Sequence, residues 1–341
     1  IIYDKQNDTY MACIPEDAFG KDYEAIILLD IASDWSDLSI DGTQIAYSYT
    51  FKQVEGNKLY SIHARKGNKE INTKITFTFL PLLVLQGSFG YDYAQGSMSL
   101  YSPDATEPTI SLIKAKWRGG TTNTADKHKR NYKIKPLNFK GKGQDISLLG
   151  MREDNNWILD AGQIDLFRLR NRIATEIWND FATKPYYASK EPKTKSGVAG
   201  KVVEVILNNE YRGIYSLTET MDRKELKLKK YDDKNQEFHG HLWKVSSWDK
   251  AQFWEIDKDY DNTQETWHAF ETKYPDIEDV NPTDYSPLYE AIDFVVNSND
   301  ETFKKEVGDY FDIPVLIDYQ LFQETLKPVD NNGKNMYWGI Y

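Results

Sequence analysis

The stretch DLFRLRNRIATEIWNDF, residues 165–181, is the clearest helical signal in the chain. Apolar side chains recur in it at intervals of three and four residues, as on one face of an α-helix; they are Leu166, Leu169, Ile173, Ile177 and Phe181. The stretch KVVEVILNNEYRGIYSLTE, residues 201–219, follows it and has the pattern of a β-hairpin with an Asn-Asn-Glu turn. A strand, this helix, a hairpin and further helices, in that order, predict an α+β fold.

Residues 1–108 show no helical periodicity, and short runs rich in aromatic and β-branched residues alternate there with Gly, Asn and Asp turns. The runs lie at residues 25–30, 44–51, 74–79 and 97–101. We therefore predict an N-terminal β-sandwich module over 1–108, which ends in a Pro-containing linker at 103–108. A second module is predicted over 109–341, with later helices at 287–297 and 314–326.

Composition excludes several classes of protein. The formal net charge of −11 over 341 residues argues against sequence-independent nucleic-acid binding, which needs a basic surface to displace counterions. The single Cys13 rules out an intramolecular disulfide framework, and five scattered His give no zinc-ligand pattern. No run approaches the ~18 apolar residues of a membrane span. Because the chain begins Ile1-Ile2 without Met, we expect a targeting segment to have been removed.

Charged residues on the predicted helix are the first candidates for a site. At 100° per residue, Arg170 falls inside the apolar face, where a guanidinium is costly unless it is paired. Glu176 lies at the margin of the same stripe, and Asp165 could cap the helix. Two interpretations stay open, a structural ion pair and a charge that holds phosphate or another active-site residue.

A second candidate is the stretch WRGGTTN, residues 117–123, between a strand predicted at 110–116 and the basic strand Tyr132-Lys133-Ile134-Lys135. Its glycines allow close backbone approach and its amides and hydroxyls can donate hydrogen bonds, as a phosphate chain requires. The known glycine-rich phosphate patterns are absent, so an ordinary hairpin connection is the alternative. Lys133 and Lys135 share a strand face, so periodicity cannot separate them.

Two acidic positions complete the candidates. Glu219 ends the hairpin and could accept hydrogen bonds from a ligand, pair with a lysine, or be a surface residue. Asp330 and Asn335 stand five positions apart in the polar loop DNNGKN, before a last strand at 336–341. In phosphoryl transfer, an Asp at this spacing orients and deprotonates the acceptor hydroxyl, and the Asn holds a metal ion on the nucleotide phosphates. The alternative is an ordinary turn, where Asp, Asn and Gly are common.

Taken in order, six segments resemble the CotH family of atypical protein kinases of spore coats and the secretory pathway. They are WRGGTT (117–122), YKIK (132–135), LLGM to NWIL (148–159), DLFRLRNR (165–172), VEVILNNEYRGIY (203–215) and DNNGKN (330–335). The resemblance covers residues 110–341 and is specific as an ordered set. The N-terminal β region is similar to the extra modules of envelope-anchored members from Bacteroidetes-type bacteria.

The resemblance implies an atypical protein-kinase-like domain after the β-sandwich, with ATP and Mg²⁺ or Mn²⁺ as cofactors. In this resemblance, Asp330 looks like the catalytic Asp and Asn335 like the metal-supporting Asn. Lys133 or Lys135 would contact phosphate, with Glu176 as its helix partner. Three further residues match family positions near the nucleotide: Arg118, Arg170 and Glu219.

Active members of the family follow the Asp–Asn loop with a strand and an Asp-rich, W-D-x-D-like segment that binds the divalent metal. This chain ends at Tyr341, before such a segment, so the resemblance implies a domain truncated at its C-terminal end. Mg²⁺ usually takes at least one carboxylate besides phosphate oxygens. We therefore expect either that a longer protein supplies this carboxylate or that this form does not catalyse phosphoryl transfer.

Three functions stay open at this point. The first is an exported kinase that phosphorylates Ser or Thr of an envelope or extracellular protein. The second is a non-catalytic pseudokinase at the cell surface, whose N-terminal module binds glycan or another envelope protein. The third, a glycoside hydrolase, lacks any carboxylate pair that stands out. The resemblance implies a cell-envelope or extracellular location, with a lipid anchor in the full-length protein, and no nucleic-acid partner is expected.

Overall fold

The computed structural model describes residues 1–26, 36–45, 48–248 and 253–341, and it shows a mixed α and β chain in which sheets predominate. The chain forms two compact units, neither of which is continuous in sequence. The first unit comprises residues 1–172 and 200–219, and the second comprises residues 173–199 and 220–341. The chain therefore passes between the units at 172/173, 199/200 and 219/220.

The first unit is built from strands. They are β1 (Ile2–Asp4), β2 (Thr9–Cys13), β3 (Tyr23–Ile26), β4 (Ser36–Ile40), β5 (Thr43–Gln44), β6 (Ser48–Phe51), β7 (Tyr60–Lys66), β8 (Lys69–Thr78), β9 (Leu82–Gly87), β10 (Ala94–Tyr101), β11 (Thr109–Arg118), β12 (Asn131–Leu137), β13 (Trp157–Asp160), β14 (Gly200–Leu207) and β15 (Glu210–Thr218). Helix α1 (Arg170–Phe181) runs from the first unit into the second.

The second unit combines helices with a small sheet. Its helices are α2 (Arg223–Leu226), α3 (Ser286–Asn297), α4 (Asp300–Tyr310) and α5 (Ile313–Leu326). Its strands are β16 (His241–Val245), β17 (Thr266–Trp267), β18 (Phe270–Tyr274) and β19 (Tyr337–Ile340), which form an antiparallel sheet in the order β17-β18-β16-β19. The core of this unit contains buried residues of the sheet and of α3, including Trp243, Phe270 and Ile292.

Seven strands of the first unit close into a barrel in the order β10-β11-β12-β13-β15-β14-β9. Every neighbouring pair is antiparallel except β14 and β9, which are parallel and close the ring. Alternate side chains point inward, as the period of two requires, and Ile113, Ala115, Ile134 and Leu159 are completely or almost completely buried. The residues between them therefore lie on the outer face of the barrel.

The linker predicted at 103–108 is the connection of a β-hairpin. Strands β10 and β11 pair from Ala94 opposite Ala115 to Leu100 opposite Thr109. The barrel thus takes two strands from the predicted N-terminal module and five from the predicted second module. Pro and Asp suit a long hairpin connection as well as a linker, and composition alone cannot separate the two. The division into modules 1–108 and 109–341 stays a prediction.

The N-terminal residues form a six-stranded sheet, β1-β2-β8-β7-β4-β5, and a separate pair, β3-β6. Aromatic rings connect the pair to the larger sheet, because Phe51 of β6 lies 4.9 Å from Tyr60 and 4.8 Å from Phe77, measured between ring centroids. The runs predicted at 74–79 and 97–101 are strands, in β8 and β10. Parts of the other two runs, residues 27–30 and 46–47, lie outside the described residues.

The helix predicted at 165–181 begins only at Arg170, and its apolar stripe is not the buried face. The predicted cap is present, since Asp165 Oδ2 accepts the Arg170 N–H at 2.8 Å. Arg172 and Trp178 are the buried residues of α1 instead, and Trp178 packs against two aromatic rings of α5. A single large aromatic side chain buries more surface than one aliphatic residue, so it decides which face turns inward. Four members of the predicted stripe are exposed: Leu166, Ile173, Ile177 and Phe181.

The two later helices were predicted almost to the residue, as α3 and α5, whereas α4 was not predicted. α4 carries six charged residues among its eleven and buries none of its side chains, so it lacks the strong apolar stripe that marks a helix in a sequence. None of the helices in the described part of the chain is long and apolar enough to cross a bilayer.

His241 of β16 is a buried titratable group in the second unit. Its ring stacks between Phe238 and Trp243, with ring centroids 5.2 and 5.1 Å away. Burial lowers the pKa of His241 to about 4, because the charged ring would lose its hydration, and Asp284 opposes this effect only weakly.

We predict that His241 makes the protein sensitive to mild acid. The unfolded chain takes up a proton near pH 6.5, whereas the folded chain does so only near pH 4, so stability falls across this interval as pH decreases. The full loss is about 3 kcal/mol. The variant His241→Phe keeps the ring stack and removes the titration. Denaturant unfolding at pH 7 and pH 4.5 should show a smaller loss for the variant, and an equal loss would contradict the prediction.

Candidate functional site

The polar loop after α5, residues 330–335, is held by hydrogen bonds to other parts of the second unit. Tyr319 and Gln323 of α5 donate hydrogen bonds of 2.6 and 2.7 Å to the carbonyl oxygen of Asn331. On the other side, the N–H of Asn335 donates to the carbonyl oxygen of Val245 in β16, at 2.9 Å. The loop is therefore held between a helix and a strand, as a site that must place side chains reproducibly requires.

Both predicted reactive side chains of this loop are exposed. The side chain of Asp330 is 63% exposed, and its Oδ1 lies 3.7 Å from Nζ of Lys334. Asn335 has φ +58, in the left-handed region that Asn occupies at low cost. An accessible carboxylate and an accessible amide on one anchored loop can contact a substrate hydroxyl and a metal ion. Their roles stay predictions.

Asp330 and Asn335 together offer a metal ion two kinds of oxygen donor. Mg²⁺ prefers six oxygen ligands and usually keeps several waters and substrate phosphates among them, so these two donors fit part of such a set. In the described portion of the chain, the side chains grouped closely enough to bind a metal by themselves are Asp232, Glu237 and His239, which do not include the loop. A metal at Asp330 would therefore depend on phosphate oxygens and on a further ligand.

A cavity of about 1080 Å³ lies beside this loop, within the second unit. Asn331 and Asn335 form part of its wall. Most of the rest is aromatic or aliphatic, and includes Trp178, Tyr187, Trp243, Phe253, Tyr319 and Trp338. Its charged lining residues are Lys184, Glu290, Asp309 and Asp312, so acidic groups outnumber basic ones. This volume is that of a pocket for a small molecule or a short peptide segment.

Lys133 and Lys135 lie on the outer face of β12, half-buried, in the first unit. The neighbouring strand places Lys116 opposite Lys133 and Lys114 opposite Lys135. Arg118 continues the same face of β11 by its alternation with these lysines. Three predicted site residues, Arg118, Lys133 and Lys135, therefore share one basic face of the barrel.

The turn that follows β11 has the close backbone packing that its glycines suggest. Gly119 has φ +97, and a Cβ atom there would lie 2.2 Å from Oγ1 of Thr122, so a larger residue does not fit. Asn131 fixes the turn, because its Nδ2 donates to Thr122 Oγ1 at 3.2 Å and its Oδ1 accepts the N–H of Ala161 at 2.6 Å.

Lys129, just before β12, is a candidate that the sequence reasoning missed. Its Nζ donates a hydrogen bond to the carbonyl oxygen of Ile214 and lies 4.1 Å from the ring centroid of Tyr215. The pKa of Lys129 is lowered to about 8, mainly by burial and also by the charge of Arg168, while Asp160 opposes both effects. The sequence showed only a basic stretch here, and no periodicity reveals which lysine of such a stretch is buried.

Arg170 is not buried, contrary to the expectation from the helical projection. Its side chain is 66% exposed, with Nε 3.4 Å from Asp165 Oδ1 and the guanidinium 4.8 Å from the ring centroid of Phe167. The projection fails because the helix begins at this residue, so its side chain reaches back over the non-helical turn before it. The adjacent Asn171 donates to Asp160 Oδ2 at 3.2 Å.

The remaining predicted residues differ in burial. Glu219 is 1% exposed, and its Oε1 accepts the N–H of Arg152 at 2.9 Å, whereas Glu176 is exposed on α1. The first unit holds Arg118, Lys133, Lys135, Arg170 and Glu219. The second unit holds Glu176, Asp330 and Asn335. Among these, the structure brings together the three basic residues of the barrel face and, separately, the two residues of the polar loop.

We predict that Lys129 titrates at a lower pH than an ordinary lysine. At pH 8 a group with a pKa of about 8 is half unprotonated, whereas under about 1% of a lysine with an ordinary pKa is. Trace acylation between pH 7 and 11, read by peptide mass spectrometry, should give a midpoint near 8 for Lys129, with exposed Lys140 as internal reference. A midpoint above about 10 for Lys129 would show the prediction to be wrong.

Comparison with known proteins places this architecture in a family. The family model described as CotH kinase protein matches residues 115–340, from within β11 to the end of β19. The match covers more than half of the 341 residues and includes every residue predicted for the site. No match to a curated protein was found. The chain therefore belongs to the CotH kinase protein family.

Proposed function

We propose that this protein is an exported atypical protein kinase that transfers the γ-phosphoryl group of ATP to Ser or Thr of an envelope or extracellular protein. The observation that carries the proposal is the anchored loop with exposed Asp330 and Asn335, within the region that matches the family. Family membership supports a kinase-like protein with nucleotide and divalent-metal use.

Each residue of the polar loop has a distinct part in the proposed reaction. Asp330 accepts a hydrogen bond from the acceptor hydroxyl, orients it and takes its proton as the phosphoryl group is transferred. Asn335 offers its amide oxygen to a Mg²⁺ or Mn²⁺ ion. When bound, that ion neutralises charge on the nucleotide phosphates. The weak pairing of Asp330 with Lys334, at 3.7 Å, leaves the carboxylate available for the hydroxyl.

The first unit supplies the proposed phosphate and nucleotide contacts. Lys133 and Lys135 present positive charge on the barrel face and are the proposed phosphate contacts. The remaining three predicted residues, Arg118, Arg170 and Glu219, are proposed nucleotide contacts. Glu219 is almost completely buried and accepts the N–H of Arg152, so we propose that it acts on the nucleotide indirectly, by positioning the segment around residue 152.

The wider context of the protein is also proposed. The aromatic contacts between the β3-β6 pair and the six-stranded sheet support a β-sandwich at the N-terminus. We propose that this module binds glycan or another envelope protein. The similarity to modules of envelope-anchored, Bacteroidetes-type members supports a cell-envelope or extracellular location with a lipid anchor in the full-length protein.

One observation favours a second candidate, a non-catalytic pseudokinase at the cell surface. In the part of the chain that the structure describes, the three-residue group that could hold a metal does not include Asp330. Without a further carboxylate, Asp330 and Asn335 would hold a metal weakly. Such a protein would keep nucleotide or partner binding and lack phosphoryl transfer.

We predict that Asp330→Asn lowers the rate of phosphoryl transfer by about 10²–10⁴-fold, because it removes the proton acceptor. The affinity for ATP with Mg²⁺ or Mn²⁺ should stay nearly unchanged in this variant. Transfer from γ-labelled ATP is measured on Ser/Thr acceptor proteins and on the protein itself, and affinity is measured by calorimetry. Both are measured on this chain and on a form extended beyond Tyr341. The matched control is Asp300→Asn, an exposed Asp in the first turn of α4.

The outcomes separate the two candidates. Transfer at the wild-type rate by Asp330→Asn would overturn the kinase proposal. Metal-dependent ATP binding that weakens in Asn335→Ala, with no transfer by either form, would identify a pseudokinase. The absence of ATP binding in both forms would remove the nucleotide site, and the polar loop would then be a structural turn.

A further inference from the structure

Four lysines form a two-by-two array on the outer face of β11 and β12. The register sets Lys114 opposite Lys135 and Lys116 opposite Lys133. Opposed side chains in antiparallel strands have Cβ atoms about 5 Å apart, and like charges in such pairs are destabilising. The register is fixed, because the alternating residue Ile113 is completely buried and a one-residue slip would expose it. The four lysines therefore stay close to one another, because β11 and β12 cannot shift to another register.

Two of these lysines lack acidic partners. In the described residues, Lys114 and Lys116 make no ion pair, although the chain has 53 Asp and Glu against 42 Lys and Arg. Their contact is with the ring of Tyr93, whose centroid lies 5.2 Å from Nζ of Lys114 and 4.9 Å from Nζ of Lys116. Nζ of Lys135 lies 5.4 Å from the same centroid. The cation–π attraction thus gathers three ammonium groups around one ring.

The loop that carries Tyr93, between β9 and β10, is held against the barrel. The ring of Phe89 covers Gly87, where a Cβ atom would lie 2.6 Å from the ring. The carbonyl oxygen of Gly90 accepts the N–H of Trp117 in β11, at 2.7 Å. These contacts fix both the start and the middle of the loop, so the ring of Tyr93 and the three ammonium groups around it are pre-organised.

We propose that Lys114 and Lys116, together with Lys133 and Lys135, bind a chain of condensed phosphate groups. A nucleoside triphosphate and inorganic polyphosphate share this chemistry. Lysines bind phosphate as point charges, and the array extends about 7 Å along the strands and about 5 Å across them. Several ammonium groups in this area match several adjacent anions better than one. The inference rests on the proposed function where the ligand is a nucleotide, since Lys114 and Lys116 then extend the phosphate contacts of Lys133 and Lys135.

A small condensed phosphate fits this face better than a long nucleic acid. A nucleic acid needs a basic surface over many successive phosphates, and its binding weakens when the surrounding surface is acidic. This chain has a net charge of −11, so the basic array is local. A ligand whose charge is concentrated in a few neighbouring groups can contact the four lysines without extending over the acidic surface of the rest of the protein.

The test is calorimetric titration with inorganic tripolyphosphate, without metal and at low salt, on the full chain. The double variant Lys114→Gln/Lys116→Gln should bind about tenfold or more weakly, as the loss of charge-assisted contacts implies. Its affinity should also depend less on salt, because fewer charges are screened. The matched control is Lys140→Gln/Lys142→Gln, which removes two exposed lysines of the same spacing between β12 and β13, and should bind like the wild type.

Thermal unfolding controls for misfolding. The variant loses the repulsion from Lys133 and Lys135 together with two cation–π contacts to Tyr93, and these opposing changes should leave the melting temperature nearly unchanged. A loss of binding in a stable variant then reports the site itself. The inference is overturned if the wild type does not bind tripolyphosphate, or if both double variants lose affinity equally.

Two further titrations identify the source of the phosphate chain. ATP that binds more tightly than tripolyphosphate, with both weakened by Lys114→Gln/Lys116→Gln, indicates a nucleotide. Equal affinity for both, with no binding of adenosine, indicates polyphosphate. Tripolyphosphate binding is measured without phosphoryl transfer, so the two proposals fail by different results. This inference fails when Lys114→Gln/Lys116→Gln binds tripolyphosphate like the wild type, whereas the kinase proposal fails when Asp330→Asn transfers phosphate at the wild-type rate.

Discussion

The architecture of the first unit depends on one parallel ladder, in which β14 pairs with β9 from Glu204 opposite Leu82 to Leu207 opposite Leu85. This ladder closes the barrel, and without it both strands would be open edges. Closure gives every strand an interior and an exterior, so the apolar residues of β11 and β12 fill the inside and their lysines must lie outside. The basic face is therefore a direct result of how the ring is closed.

In the second unit, the predicted site residues Asp330 and Asn335 lie on a loop and not on a strand. The loop is anchored through its backbone, from α5 on one side and β16 on the other, and the side chains of Asp330 and Asn335 are exposed. The predicted site residues of the two units thus differ in the type of structure that supports them. The basic residues lie on paired strands, where their spacing is set by register, and Asp330 lies on a loop whose backbone is anchored and whose carboxylate is exposed.

Local patterns predicted the elements whose signals are local. The hairpin of β14 and β15 and helices α3 and α5 were found from periodicity and turn residues. The barrel was not, because β9 pairs with a strand more than a hundred residues later and no local pattern encodes that partner. For the same reason the sequence did not single out Lys114 and Lys116, because their register opposite Lys135 and Lys133 appears only when the strands are paired. In α1, periodicity identified a stripe but could not show which side meets the core, and Trp178 decided it.

The threefold passage of the chain between its units has a consequence for how such a protein can be rearranged. Strands β14 and β15 enter the barrel only after the excursion through residues 173–199, so each unit is assembled from two separate pieces of sequence. A single recombination breakpoint therefore cannot exchange one unit for a foreign counterpart, and one proteolytic nick releases neither unit whole. Because the segments of the two units alternate along the chain, we expect the units to be exchanged or lost only together, unlike modules that one linker joins end to end.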